Sequence, residues 1–150
     1  MSTCRTCELV TRRDAGEAPF WDNIYRTENW DVVHNYNTTL PGWLVLVTRR
    51  HIASIAEMTE AEAAELGPLI QKTSSALKEA TDCQKTYVIQ FAEAPDHPHV
   101  HFHIVPRMAD MPKEKRSGKV FAYKPKDGEA PISETEMNRI GQIVQSHLIK

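Results

Sequence analysis

The chain has 150 residues, of which 41% are hydrophobic and 25% charged, as in an ordinary globular domain with a buried core. Its net charge of −2, with histidines neutral, gives no reason to expect a nucleic acid or an anionic membrane as partner. No apolar run reaches the roughly 20 residues of a membrane span. The N-terminal MSTCRTCELV lacks an apolar signal segment, so we expect a cytoplasmic protein.

Residues 1–150 are expected to form a single domain, in which residues 1–19 are a polar N-terminal annex. The annex contains Cys4-x-x-Cys7, two of the three cysteines of the chain. In a chain without an export signal, such a pair indicates metal or redox chemistry rather than a structural disulfide. The alternative is an exposed, unreactive pair on a loose tail.

The next segments have the patterns of a β-sheet. Residues 23–26 and 30–35 carry aromatic and β-branched side chains around a polar turn, which predicts a hairpin. Residues 37–42 form a loop that ends in the turn signal Pro41-Gly42. The apolar run WLVLVT, residues 43–48, predicts a central strand.

A long helix is predicted next. Thr59 and Glu62 have the spacing of a capping box. Apolar residues then recur at helical spacing as far as about Ala80. Gly67-Pro68 interrupts this pattern, and we expect a kink there because Pro68 lacks a backbone donor.

The rest of the chain completes an α+β pattern. Residues 86–91 and 99–105 predict two strands, and Ser133-x-x-Glu136 begins a last helix within a C-terminal extension, residues 108–150. We therefore predict a mainly antiparallel sheet of about five strands, one long helix and a C-terminal helix.

Four histidines occupy every second position from His97 to His103 in HPHVHFHIV. Because side chains alternate along a strand, His99, His101 and His103 share one face, and the apolar residues between them share the other. Pro98 fits only at the start of a strand, which excludes His97 from the regular row. Histidines that are merely structural or exposed are the alternative.

Neutral imidazole is a good nucleophile toward phosphorus and a good metal ligand near neutral pH. A middle nucleophile, held through its far nitrogen and flanked by imidazoles that donate hydrogen bonds to phosphoryl oxygens, suits phosphoryl or nucleotidyl transfer.

The run His99-Val-His101-Phe-His103-Ile-Val matches the signature of the histidine triad (HIT) family, and residues 41–52 with the helix after them also resemble that family. The resemblance covers roughly residues 20–107. It implies a HIT-like fold and a homodimer that continues the sheet across two subunits. It also implies a nucleotide hydrolase or transferase that cleaves the α-phosphate linkage of a nucleoside monophosphate ester, anhydride or amide. Purine nucleotides that contain AMP are the implied ligands.

The resemblance further implies roles for single residues. His101 attacks phosphorus and forms a covalent nucleotidyl-histidine, and His103 holds a phosphoryl oxygen or the leaving group. Asn35 binds the ribose hydroxyls, with a turn residue as the alternative. Val33 lines the base pocket, with core packing as the alternative, and Gln90 lies near the phosphate.

The sequence departs from the family at the positions that contact the phosphate or the leaving group. Many members have Gln six residues, and Ser or Thr five residues, before the nucleophile. Pro95 and Asp96 occupy these positions here. The leaving-group preference of those members therefore does not transfer to this chain.

Some histidine triad proteins carry an N-terminal Cys-x-x-Cys whose zinc is completed by a His after the central strand and by the first His of the triad. The resemblance therefore implies one tetrahedral zinc site formed by Cys4, Cys7, His51 and His99. In members without the cysteines, the equivalents of His51 and His99 support the nucleophile instead.

Two other functions remain open at this point. One is a nucleotidyltransferase or phosphorylase, in which phosphate or a sugar phosphate replaces water. The other is a non-catalytic nucleotide-binding interaction protein that keeps the pocket.

Overall fold

The computed structural model describes residues 3–150. Five strands form one antiparallel sheet in the order β1-β2-β3-β5-β4. The strands are β1 (Tyr25–Arg26), β2 (Trp30–His34), β3 (Leu44–Thr48), β4 (Lys85–Ile89) and β5 (His101–Arg107). The predicted α+β fold, with β3 at the centre of the sheet, is confirmed.

Three α-helices accompany the sheet, namely α1 (Arg5–Asp14), α2 (Glu60–Thr81) and α3 (Glu134–Ile149). The capping box of α2 is present, since Thr59 Oγ1 accepts from the Glu62 backbone and the Glu62 carboxylate accepts from the Thr59 backbone. α2 continues through Gly67-Pro68 as one element, so these residues do not end it. Within residues 3–150, no helix is long and apolar enough to cross a membrane.

The sheet separates two apolar clusters because its side chains alternate between faces. One face packs against α2 and α3, and its strand residues are Trp30, Val32, Leu44, Leu46, Phe102 and Ile104. The other face carries Val33, Val45, Val47 and Val105, and it is covered by α1 and by residues that follow β5. His101 and His103 point to this second face, since they pair with Val47 and Val45 across the strands.

Helix α1 is a feature of residues 1–19 that the prediction of a polar annex did not include. Its buried residues, Thr6, Leu9, Val10 and Arg13, recur at helical spacing, which is the signal that the composition of the annex obscured. Arg13 is buried because its guanidinium forms ion pairs with Asp22 at 3.0 Å and Asp31 at 2.8 Å. Arg13, although charged residues usually lie on the surface, therefore belongs to the buried face of the helix.

The histidine row also differs from the prediction. β5 begins at His101, so His99 lies just before the strand. Here the backbone of Val100 bonds with Ile52 and Thr48 instead, which ties this segment to the turn after β3. Likewise, β4 ends at Ile89, two residues before the predicted end of that strand.

The connection between β2 and β3 depends on a buried histidine. His34 Nδ1 donates to the Asn35 carbonyl at 2.8 Å, and His34 Nε2 accepts from the Gly42 backbone at 3.0 Å. Gly42 has a φ of +90°, and a Cβ there would lie 2.9 Å from the Thr81 side chain. Since burial lowers the pKa of His34 from 6.5 to about 4, this imidazole is neutral near pH 7.

The pH dependence of stability should therefore contain a contribution from His34. Its pKa is lower in the folded than in the unfolded chain, so the contribution is present above pH 6.5 and is lost as the pH falls toward 4. Between pH 7.5 and 5.5 this amounts to about 1.3 kcal/mol. In urea unfolding, His34→Gln should lose about that much less stability than the wild type over this interval. An equal loss in both proteins would contradict the role of His34.

Candidate functional site

A cavity of about 270 Å³ lies on the α1 side of the sheet, close to the lower size limit of ligand pockets. The strands form its floor and α1 forms one wall. The floor includes Val33, Val45, Val47, His101 and His103, and the α1 wall consists of Thr6, Leu9 and Arg13. The cavity therefore joins the triad strand to the N-terminal annex.

The ring of His101 is held in one tautomer. His101 Nδ1 lies 2.7 Å from the carbonyl oxygen of His99, and because a carbonyl only accepts, Nδ1 must donate. Burial lowers the pKa of His101, which favours the neutral ring near pH 7. In that state Nε2 carries the lone pair, as a nucleophile or a ligand-binding acceptor requires.

The ring of His103 is held in the opposite tautomer. The indole Nε1 of Trp43, which is only a donor, lies 2.9 Å from His103 Nδ1, so Nδ1 accepts and Nε2 carries the hydrogen. Burial, reinforced by His101 and His97, lowers the pKa of His103 to about 3. The two rings, with centroids 4.9 Å apart, thus offer one lone pair and one N–H donor.

The residues predicted to bind the nucleotide divide into two groups. Asn35 and Val33 line the cavity, whereas the cavity wall formed by residues 3–150 does not include Gln90. Gln90 follows β4, the edge strand, while the floor belongs to β2, β3 and β5. Asn35 also has the turn role considered above, because its Oδ1 accepts from the Asn37 backbone at 2.9 Å. Its amide nitrogen is the group that can face a ligand.

Several cavity residues were not found from the sequence. His97 lines the cavity although Pro98 excludes it from the strand, and Tyr36, Trp43 and Phe121 add aromatic surface. The position of His97 within the histidine row is the feature of the sequence that could have indicated it. Phe121 lies outside any predicted strand or helix, so only the folded chain places it against His103, at 5.5 Å between ring centroids.

A second group of residues forms a candidate metal site. The ligand atoms of Cys4, Cys7, His51 and His99 all lie within 4.8 Å of one another. Cys7 Sγ lies 3.1 Å from His51 Nδ1 and 3.5 Å from His99 Nδ1, and the two Nδ1 atoms are 3.1 Å apart. A tetrahedral zinc with ordinary bond lengths requires ligand separations of about 3.3–3.8 Å. The donor set and its spacing therefore fit zinc.

The hydrogen bonding of His99 suits a metal ligand. Its Nε2 donates to the Thr48 carbonyl at 2.7 Å, which leaves Nδ1 with the lone pair. Burial lowers the pKa of His99 to about 4, so the ring is neutral. By contrast, burial and the neighbouring Cys4 raise the pKa of the Cys7 thiol to about 11. A bound cation would instead lower the pKa of the Cys7 thiol, because metal binding favours the thiolate.

The tautomer of His103 is testable by nitrogen-15 NMR of the histidine rings. Wild-type His103 should show the Nε2–H form at pH 7 because Trp43 donates to Nδ1. Trp43→Phe removes that donor, so the Nδ1–H and Nε2–H forms should both be populated. Trp21→Phe, which changes an indole that does not contact His103, is the matched control. An unchanged tautomer in Trp43→Phe would contradict the assigned hydrogen bond.

Comparison with known proteins agrees with these features. A zinc-bound histidine triad family protein from Mycobacterium smegmatis is 19% identical, with a TM-score of 0.69 over 97% of this chain and 95% of that one. A histidine triad protein from Bradyrhizobium japonicum is 25% identical, with a TM-score of 0.68 over 83% and 87% of the two chains.

A hypothetical histidine triad nucleotide-binding protein from Sulfolobus tokodaii is 14% identical, with a TM-score of 0.69 over 95% and 92% of the two chains. Curated protein sequences contain no match. The family model of the HIT domain matches residues 21–110, more than half of the chain. The resemblance drawn from the histidine row is thereby confirmed, and the chain belongs to the histidine triad (HIT) family.

Proposed function

We propose that this protein is a nucleotide hydrolase or transferase that cleaves the α-phosphate linkage of a nucleoside monophosphate derivative through a covalent nucleotidyl-histidine. The observation that carries the proposal is the hydrogen bond from His101 Nδ1 to the His99 carbonyl, since it leaves a neutral Nε2 lone pair for the cavity. Covalent catalysis requires such an activated nucleophile, whose other nitrogen is held by a fixed acceptor.

In the first step, the Nε2 lone pair of His101 forms a bond to phosphorus. The bond from phosphorus to the leaving group breaks, and its electron pair departs with that group. The positive charge on the imidazole is stabilised by the His99 carbonyl, which accepts from Nδ1. In the second step, the oxygen of a water molecule forms a bond to phosphorus and releases a proton to the solvent. The P–N bond breaks, and its electron pair returns to Nε2 of His101.

His103 assists by stabilising negative charge. Its Nε2–H is the donor that Trp43 leaves available, and it would bond to a non-bridging phosphoryl oxygen. Because the ring is buried and neutral, it acts as a fixed dipole whose position does not change during the reaction. Removing one such donor typically slows catalysis by about 10²–10³.

The nucleoside part of the substrate would lie along β2. Asn35 lines the cavity, and its amide nitrogen, which the Asn37 contact leaves available, suits the ribose hydroxyls, while Val33 offers apolar surface to a base. The similar protein from Sulfolobus tokodaii is described as nucleotide-binding. AMP-containing purine nucleotides remain the proposed ligands on the strength of the family. Gln90 is left out of this proposal because of its place beyond the cavity.

Zinc is the proposed occupant of the Cys4, Cys7, His51 and His99 cluster, which accords with the donor spacing and with the zinc-bound relative from Mycobacterium smegmatis. Four protein ligands leave no open position, so the metal has a structural role. It would fasten α1 to the sheet. This supports treating residues 1–150 as one domain, with the annex as part of the cavity wall.

A homodimer and a cytoplasmic location complete the proposal. β4 is an edge strand, whose outer backbone groups can pair with a second copy, and the exposed Val88 and Phe91 add apolar surface at this edge. The cytoplasm would keep the thiols of Cys4 and Cys7, which form no disulfide, reduced for metal binding.

The nucleophile is tested by mixing the protein with an AMP ester labelled in the phosphate. Wild type should form a labelled protein adduct, whereas His101→Asn should form none and keep AMP affinity within about tenfold, or about 1.4 kcal/mol. His147→Asn, a substitution on α3, is the matched control and should behave as wild type. Release of the adduct by water indicates a hydrolase, and release that requires added phosphate indicates a phosphorylase.

AMP binding without any adduct in wild type would refute the proposed chemistry and favour the non-catalytic alternative. Undiminished turnover by His101→Asn would refute the nucleophile itself.

Metal analysis of untagged protein should find about one zinc per chain. Cys4→Ser with Cys7→Ser should release the zinc, expose α1 to proteolysis and lower the melting temperature, because metal-binding energy is folding energy for α1. Cys83→Ala, which removes a buried thiol outside the cluster, should keep the zinc. A wild type without zinc that melts like the double variant would contradict the site.

A further inference from the structure

The cavity contains a histidine that the proposed mechanism does not yet use. The family resemblance implies contacts to the phosphate or the leaving group from the two positions that Pro95 and Asp96 occupy here. Among residues 3–150, neither of these two lines the cavity, but His97 does. Its ring centroid lies 6.4 Å from that of His101. A donor is therefore present beside the nucleophile, one residue later in the chain than the family places it.

His97 is held from two sides. Its Nδ1 lies 2.7 Å from the Thr6 hydroxyl on α1, and its Nε2 lies 3.3 Å from the Tyr36 hydroxyl after β2. The first distance is that of a good hydrogen bond, and the second is that of a weak one. The Thr6 contact therefore fixes the ring, while the Tyr36 contact is the one that a ligand in the cavity can share or replace.

The surroundings also favour a hydrogen on Nε2. The Asp96 carboxylate lies 3.8 Å from His97 Nε2, and its negative charge favours a hydrogen rather than a lone pair on that nitrogen. With the hydrogen on Nε2, Nδ1 accepts from the Thr6 hydroxyl, for which no other acceptor is found among residues 3–150. This tautomer satisfies both contacts of the ring, and its N–H is directed toward Tyr36.

We propose that His97 is a further catalytic residue, which donates a hydrogen bond from Nε2 to the leaving-group oxygen of the nucleotidyl substrate. This inference rests on the proposed function. When the P–O bond breaks, its electron pair stays on the leaving oxygen, and the hydrogen bond from His97 stabilises that charge without proton transfer. The site then suits leaving groups that depart as oxyanions, such as the phosphate of an anhydride or an acidic alcohol.

The position of Thr6 gives α1 a part in this arrangement. Thr6 lies in the first turn of α1, between Cys4 and Cys7 of the candidate metal site. Thr6 is accordingly a positioning residue for His97. The same short helix would bind the metal and hold the leaving-group donor in place.

The experiment uses two AMP esters of nearly equal shape, the 4-nitrophenyl and the phenyl ester, and measures phenol release in a single turnover. His97→Ala should slow the phenyl ester by about 10²–10³ and the 4-nitrophenyl ester by less than about tenfold. The reason is that the nitro group already delocalises the charge that His97 would stabilise. AMP affinity should change by less than about threefold, or about 0.7 kcal/mol, since AMP has no leaving group.

His97→Gln keeps an N–H donor and should recover part of the rate on the phenyl ester, and it also replaces His97→Ala if that variant does not fold. Thr6→Val should reduce the same rate selectively, but less than His97→Ala. His147→Ala is the matched control and should leave both rates unchanged.

Equal slowing of the two esters by His97→Ala, or no slowing of either, would overturn the role of His97. Equal slowing together with weaker AMP binding would identify His97 as a structural residue of the cavity. A wild type that forms no adduct with either ester would instead overturn the proposed function, and the role of His97 with it.

Discussion

The position of His99 is the constraint on which the rest of the site depends. Its Nδ1 belongs to the cysteine–histidine cluster, its Nε2 donates to Thr48 on β3, and its carbonyl holds the ring of His101. One buried residue thus connects the annex, the central strand and the reactive imidazole. Because His99 is completely buried, its polar atoms must all be satisfied within the protein, and each partner fixes the others. This explains how a site near the N-terminus can influence a ring on β5.

Burial also decides the chemistry of the two rings in the cavity. His101 and His103 are neutral because they are removed from water on the α1 side of the sheet, and their neighbours select opposite tautomers. α1 keeps this face covered, and it is fastened by the buried ion pairs of Arg13 with Asp22 and Asp31. Loss of Arg13 would leave the buried Asp22 carboxylate without its ion-pair partner, which costs more than the pair itself contributes. The ion pairs that anchor α1 therefore also help to keep the histidine rings of the cavity neutral.

The family relationship and the function are supported by different parts of the molecule. The fold is shared with structures that are 14–25% identical, and at such identities the sheet and helices say little about substrate. The proposed substrate class comes from the family, whereas the proposed leaving-group preference comes from the contents of the cavity. Here the chain has Pro95 and Asp96 where other members have polar contacts, and it has His97 with Thr6 and Tyr36 in their place. A change in the loop before the triad, together with the helix wall that holds His97, can give the same scaffold a different preference for leaving groups.

The sequence by itself determined the features that depend on local spacing. The alternation in β5, the apolar run of β3 and the capping box of α2 are short-range patterns, and the histidine signature identified the family. Only the tertiary structure decided that Arg13 lies on the buried face of residues 5–14, because its burial requires acidic partners from other parts of the chain. The same holds for the tautomers, since the carbonyl of His99 and the indole of Trp43 select the nitrogen that carries hydrogen. Only the tertiary structure also places His97 in the cavity. Its contacts lie 91 and 61 residues away, and no periodicity along the chain predicts them.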